Sequence, residues 1–191
     1  MALLDAARRM NGDALAEIFD LYSPAIYKYV LHLCNDAMLA DQIVGDVFAK
    51  LLDHLSAGNG PGTNLPSYLY QTAYHIIIDE ARYWHGRTSL EAVDFLRYDG
   101  YSAYTNLENQ ILFETISQAI LNDLTAYQRH VIILRFLEGF SLRETAAILG
   151  KSVNIVKAAQ NRAIVTLRQA LGHRVIATHA TTQGTGNYAS P

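Results

Sequence analysis

The chain has 191 residues, half of them hydrophobic, with 15 Lys and Arg against 18 Asp and Glu and a net charge of −3; that length fits one domain or two small ones, each able to bury a core. Its single cysteine, Cys34, excludes an intramolecular disulfide and any multi-cysteine zinc site. No apolar run approaches the roughly twenty residues that span a bilayer, and no charged-then-apolar signal segment opens the chain, so a cytoplasmic protein without membrane insertion is expected.

The pattern is helical almost throughout. Over residues 13–34, Leu15, Ile18, Phe19, Tyr22, Ile26, Tyr29, Val30 and Leu33 recur at three- and four-residue steps, as on a helix with one buried face. Pro24 is expected to kink or interrupt it. Cys34 falls in this apolar run and reads as a buried structural thiol. Residues 38–55 repeat the pattern through Ile43, Val47, Leu51 and Leu55. Three glycines and a proline make residues 57–64 a loop. Pro66 then suits the first turn of a helix running to about Tyr83. Residues 86–107 hold no period and read as a linker.

A second helical block begins near Leu107. Thr125 with Gln128, and Ser141 with Glu144, have the spacing of capping boxes. Gly139 and Gly150 end the helices that follow, and Ser152 caps the next. From Val175 the chain is rich in Thr, Gly and Ala, and it is expected to be disordered to Pro191. The expected fold is all-α: a helical domain over 1–87, a linker over 88–108, a helix-turn-helix domain over 109–174 and a disordered tail over 175–191.

Charge is divided unevenly between these parts. Residues 1–87 carry six basic against ten acidic side chains, whereas residues 113–191 carry eight against four. After Glu144 no acidic residue occurs through Arg174, while Lys151, Lys157, Arg162, Arg168 and Arg174 do. A short basic helix behind a tight turn is suited to a DNA major groove. With Ser152 as cap, Val156, Ala163, Leu167 and Ala170 share one side and face Leu142, Ala146 and Leu149. Asn154, Lys157, Asn161 and Arg168 fall on the other. Asn pairs bidentately with adenine and Lys reaches guanine, so Asn154, Lys157 and Asn161 are the candidate base contacts. Lys151, Arg162 and Arg168 are the candidate phosphate contacts. The alternative for these residues is the solvated face of an ordinary amphipathic helix.

The run Leu124–Gly150, with Val156-Lys157 and Arg162-Ala163, resembles the C-terminal domain of bacterial RNA polymerase sigma factors of the sigma-70 family, in the extracytoplasmic-function (ECF) group. Ala40–Phe48 resembles that group's polymerase-clamp helix. Tyr68-Leu69-Tyr70, Ala73 and Asp79 resemble its promoter-melting helix. The resemblance covers residues 10–172 and implies transcription initiation. A rear domain would bind the −35 element, and a front domain would bind core polymerase and open the −10 element. Polymerase contacts are then expected at Asp41, Val44, Asp46 and Phe48; the alternative for these residues is a solvated acidic face over a core stripe. Contacts to melted −10 DNA are expected at Asn59, Asn64, Tyr68, His75, Arg82 and Arg87. Tyr70 and Tyr74 are expected inside, with less force than Ile77. An anti-sigma factor is a further candidate partner.

Some positions depart from the family pattern. Gln42 and Gly45 replace a usual Asp and Gln, and Tyr74-His75 replace Arg and Asn. Ala158-Ala159 replace a frequent Ser-Arg, and Gln160 a frequent Leu. The front domain is therefore expected to hold phosphate weakly. A plain helix-turn-helix regulator would explain the basic C-terminal block equally well, but not an acidic helix followed by a Gly-rich loop and an aromatic helix. No cofactor and no metal are implied. The seven histidines are scattered without a ligand pair, and no phosphate loop follows a strand, which leaves little for an enzyme.

Overall fold

Local caps set most of the helix boundaries. The computed structural model describes the backbone of residues 2–87 and 107–183, and side chains over 2–81 and 114–172. Helix α1 spans Ala2–Arg8. Asn11 caps α2 (Gly12–Cys34) by accepting from the Ala14 amide, and Asp36 caps α3 (Ala37–Ser56) by accepting from Leu39. Asn64 does the same for α4 (Leu65–Arg87), accepting from the Ser67 amide at 3.0 Å. Pro24 lies within α2 and does not interrupt it. Helix α4 runs four residues past the expected Tyr83, because Gly86 near a helix end weakens the helix without stopping it.

The rear block holds α5 (Leu107–Asp123), α6 (Ala126–Ile132), a π-helical turn over Ile133–Leu137, α7 (Leu142–Ile148) and α8 (Val153–Gln183). Both capping boxes form as expected, at Thr125/Gln128 and Ser141/Glu144. The Ser141 hydroxyl and amide hold the Glu144 carboxyl below its usual range. The π turn, which α-helical periodicity does not announce, admits one extra residue per turn and ends where Gly139 turns left-handed (φ +77°).

Gly150 (φ +61°) closes α7. Its amide bonds back to Ala147, and Lys151 bonds back to Ala146, the double bond of a Schellman cap. A Cβ there would meet no atom within 4 Å, so Gly150→Ala is expected to cost only the left-handed backbone strain, about 1–2 kcal/mol. Thermal unfolding should register this as a melting temperature a few degrees lower.

The expectation for the tail requires correction. Helix α8 continues through residues 175–183, which contain no glycine or proline to stop it. Residues 184–191, and the linker expected at 88–108 except for its last two residues (the start of α5), lie outside the described residues.

Helices α2, α3 and α4 pack on one another with α1 against α2 and α3, while α8 packs on α5, α6 and α7. The two blocks also pack together, α4 on α7 and α2 on the π turn, so one buried apolar cluster runs from Leu4 to Ala163. At the junction Tyr29 is fully buried, and its hydroxyl shares a 2.8 Å hydrogen bond with His130 Nδ1. Tyr70 lies edge-on to both Tyr29 and Phe140, with ring centroids 5.1 and 4.8 Å away, and its hydroxyl donates to Glu138 at 2.5 Å. Tyr74 stands edge-on to His130 at 4.9 Å. Tyr70, Tyr74 and Ile77 are thus inward, as expected, but the first two are covered by the rear block rather than by their own. Cys34 is buried, which pushes its thiol up to about 12 and makes it inert.

Candidate nucleic-acid and polymerase surfaces

Helix α8 buries Val156, Ala159 and Ala163 against the rest of the rear block, with Leu167 half-buried beside them. Every candidate −35 residue is exposed: Lys151, Asn154, Lys157, Asn161, Arg162 and Arg168. The Ser152 hydroxyl accepts from Ile155, fixing the start of the helix that presents them. The family departure at Ala159 removes no outward side chain, since Ala159 is in the core, whereas Ala158 is exposed. Gln160 is half-buried, and its side chain accepts from Arg135 Nε at 3.0 Å. Arg135 also donates to the Phe140 carbonyl, tying the π turn to the recognition helix.

On α3 the carboxylates of Asp41 and Asp46 are exposed, but Val44 and Phe48 are only 8% and 7% exposed and belong to the core. The apolar contact area expected of them is corrected accordingly. Helices α2 and α4 flank α3 on both sides, so its buried sector is wider than the single stripe through Ile43, Val47, Leu51 and Leu55. The exposed apolar carbon nearby is Phe19, whose ring meets Phe48 at 4.8 Å, together with Leu52. Phe19, expected on the buried stripe of α2, is 44% exposed and lies at the edge of that face, which periodicity alone does not separate from its centre. Between α3 and α4 an open cleft of about 410 Å³ is lined by Asp46, Asp53, Asp79 and Glu80 around Lys50. That side repels phosphate and suits basic groups.

The front-block candidates for melted DNA do not form one cluster. Asn59 and Asn64 are exposed in the loop, but the Asn64 side-chain oxygen is already engaged as the α4 cap. Tyr68 is half-buried, and its hydroxyl shares a 2.5 Å bond with His54 Nδ1, bracing α4 against the end of α3. His75 is exposed one turn beyond Thr72. Arg82 and Arg87 fall in the last turns of α4, with side chains outside the described residues. Among the described residues no helix is long and apolar enough to cross a membrane, and no group of ligating side chains suits a metal ion.

Two family models match the chain: Sigma-70 region 2 over residues 18–88, and Sigma-70, region 4 over residues 120–169. The ECF RNA polymerase sigma factor SigD of Mycobacterium bovis is 30% identical over 177 residues, covering 86% of this chain and 82% of SigD. The ECF RNA polymerase sigma factor BldN of Streptomyces coelicolor is 27% identical over 175 residues, 90% of this chain; the chain spans 65% of BldN's length. Among solved structures, the sigma factor RpoE of Bartonella quintana, crystallised with the anti-sigma factor NepR, superposes with a TM-score of 0.66 at 23% identity, over 82% of this chain and 96% of that one. CnrH, solved with the cytosolic domain of CnrY, gives 0.68 at 22%, over 90% and 96%. At those identities the two structures speak for the fold alone.

The two matched regions, one in each helical block, place the chain in the sigma-70 class of transcription initiation factors. Within that class the chain belongs to the ECF RNA polymerase sigma factors. Promoter recognition through core RNA polymerase is thereby favoured over action as a free-standing helix-turn-helix regulator.

Proposed function

We propose that this chain, acting in the cytoplasm, docks on core RNA polymerase with the acidic face of α3, reads the −35 duplex with α8, and holds the melted −10 strand with the 57–64 loop and the start of α4. The exposure of all six −35 candidates, five of them on a helix whose opposite side is in the core and Lys151 just before it, carries this reading. Asp41 and Asp46 face basic groups of the polymerase clamp, with Phe19 and Leu52 giving apolar area beside them. Asn154, Lys157 and Asn161 meet base edges, while Lys151, Arg162 and Arg168 meet phosphates. Asn59, Tyr68 and His75 meet unpaired bases; Asn64 contributes its amide end only. Arg82 and Arg87 meet the strand's phosphates. The polymerase performs all the chemistry. An anti-sigma factor, such as the NepR crystallised with RpoE, is the proposed inhibitor.

Transcription from a linear promoter template by purified core polymerase, with and without this chain, is the direct test. Transcripts only when the chain is present are expected; no complex with core polymerase would return the chain to the plain-regulator reading. Lys157→Ala should leave thermal stability unchanged, because the side chain is exposed, and should weaken −35 binding by about 1–3 kcal/mol. A loss that varies with base sequence is expected. A uniform loss with a shallower salt dependence would reassign Lys157 to phosphate.

A further inference from the structure

Helix α1 precedes the region-2 match, which begins at residue 18, yet it is built into the front block through buried Leu4 and Ala7. Its last residue reaches the loop more than fifty positions away. Arg8 Nη1 pairs with Asp5 Oδ1 at 2.9 Å, while Nη2 donates to the Pro61 carbonyl at 2.6 Å and to the Gly62 carbonyl.

The rest of the loop is fixed from its two ends. At one end the Gly58 amide bonds to the Leu55 carbonyl and the Asn59 amide to the His54 carbonyl, with Gly58 left-handed at φ +72°. Gly60 sits so close to Leu55 that a Cβ there would lie 2.5 Å from Leu55 Cδ2. At the other end Asn64 caps α4 and Leu65 is buried. Between these ends Pro61 and Gly62 are gripped by Arg8. A trans peptide points its C=O and the following N–H in opposite directions. By drawing both carbonyls toward α1, Arg8 turns the amides of Gly62 and Thr63 to the opposite side, while Asn59 stays exposed.

We propose that Arg8, oriented by Asp5, is a positioning residue that sets which base the 57–64 loop accepts from the unpaired −10 strand. The guanidinium touches no base. It fixes the backbone donors and the path of the loop on which Asn59 stands. This inference rests on the proposed role of the loop, and its test separates the two.

The test uses holoenzyme reconstituted from core polymerase with the wild-type chain, Arg8→Ala or Arg8→Lys. Each is titrated with a set of labelled single-stranded −10 oligonucleotides that differ by one base at each position in turn. Wild-type holoenzyme should prefer one base at one position by about tenfold, the size of one good base contact. Arg8→Ala should lose most of that preference at that position and keep its preferences elsewhere. Arg8→Lys, which keeps the charge but not the fork, should fall between. Affinities for core polymerase and for −35 duplex should be unchanged, because Arg8 lies on neither surface. A preference equal to wild type in Arg8→Ala would overturn the positioning role while leaving the loop's role intact. A uniform loss on every oligonucleotide would also overturn it, making Arg8 a phosphate contact. Wild-type holoenzyme without any base preference would overturn both.

Discussion

Changing Lys151, Arg162 and Arg168 together to alanine should flatten the salt dependence of −35 duplex binding by nearly three units of slope, at about 0.9 per phosphate contact released. Between 50 and 200 mM salt, wild-type affinity should therefore fall about 40-fold more than that of the variant. All three side chains are exposed on or just before α8, so the fold should be unaffected and the thermal transition should superpose on the wild type. The loss should be alike on matched and mismatched duplexes, because phosphates repeat without regard to sequence. Asn154→Ala and Asn161→Ala should do the reverse: a small change of slope and a loss concentrated on the matched site. An unchanged slope in the triple variant would remove these residues from the phosphate backbone and reduce the basic face of α8 to a solvated surface.

This rear surface was legible in the sequence because everything that builds it is local. Two capping boxes, two left-handed glycines and a serine cap lie within thirty residues of one another, and they fix where each helix begins and which side turns out. The front block was legible to the same extent along α2, α3 and α4, where the apolar steps are regular. The failures have three physical sources. Short or atypical elements carry little period: α1 has seven residues, and the π turn has five whose spacing departs from 3.6. Long-range contacts carry no local signal at all. Nothing near Arg8 announces Pro61, and nothing near Tyr29 announces His130, 101 positions later. Val44 and Phe48 illustrate a third limit, since a stripe shows which side of a helix is apolar but not how many neighbours will cover it. Tyr70 and Tyr74 were placed inward correctly, yet the rear block that covers them was not foreseen.

That long-range junction is expected to come apart as pH falls. Burial, with Arg129 adding to it, holds the His130 imidazole at about 3, far below its usual value of 6.5, so it is neutral where the blocks meet. Once the blocks part, it titrates normally. The folded value lies below the free value, so the packed state keeps its full stability above pH 6.5 and loses it progressively toward pH 3. At pH 5 the loss is about 2 kcal/mol, roughly thirtyfold in the closed population. Tyr29 and Tyr74 face the ring from α2 and α4, and burial raises the Tyr29 hydroxyl still further from this range. Glu138 acts in the opposite sense. Burial raises its carboxyl, so the packed state gains from its protonation as pH falls. Glu138→Gln should therefore steepen the acid response, and His130→Phe should flatten it. Small-angle scattering reads the outcome directly, since a compact chain of this length has a radius of gyration near 16 Å, about 2.2 times the 0.38 power of the residue number.

The junction matters on the proposed reading, in which α8 meets the −35 duplex and the 57–64 loop the −10 strand, because the packed chain cannot reach both. Sites named for positions about 25 base pairs apart lie on the order of 80 Å apart along B-form duplex, several times that radius. Polymerase binding must then draw the blocks apart and expose Tyr29, Tyr70 and Phe140, so the free chain's closed state lowers its apparent affinity for core polymerase. Tyr29→Phe keeps the ring but leaves His130 Nδ1 without its partner only when the blocks are packed. A buried unpaired group costs about 1–3 kcal/mol, so Tyr29→Phe should bind core polymerase about tenfold more tightly at pH 7.5 while raising the radius of gyration of the free chain. Equal affinity with an unchanged radius would show that the closed packing does not compete with the polymerase.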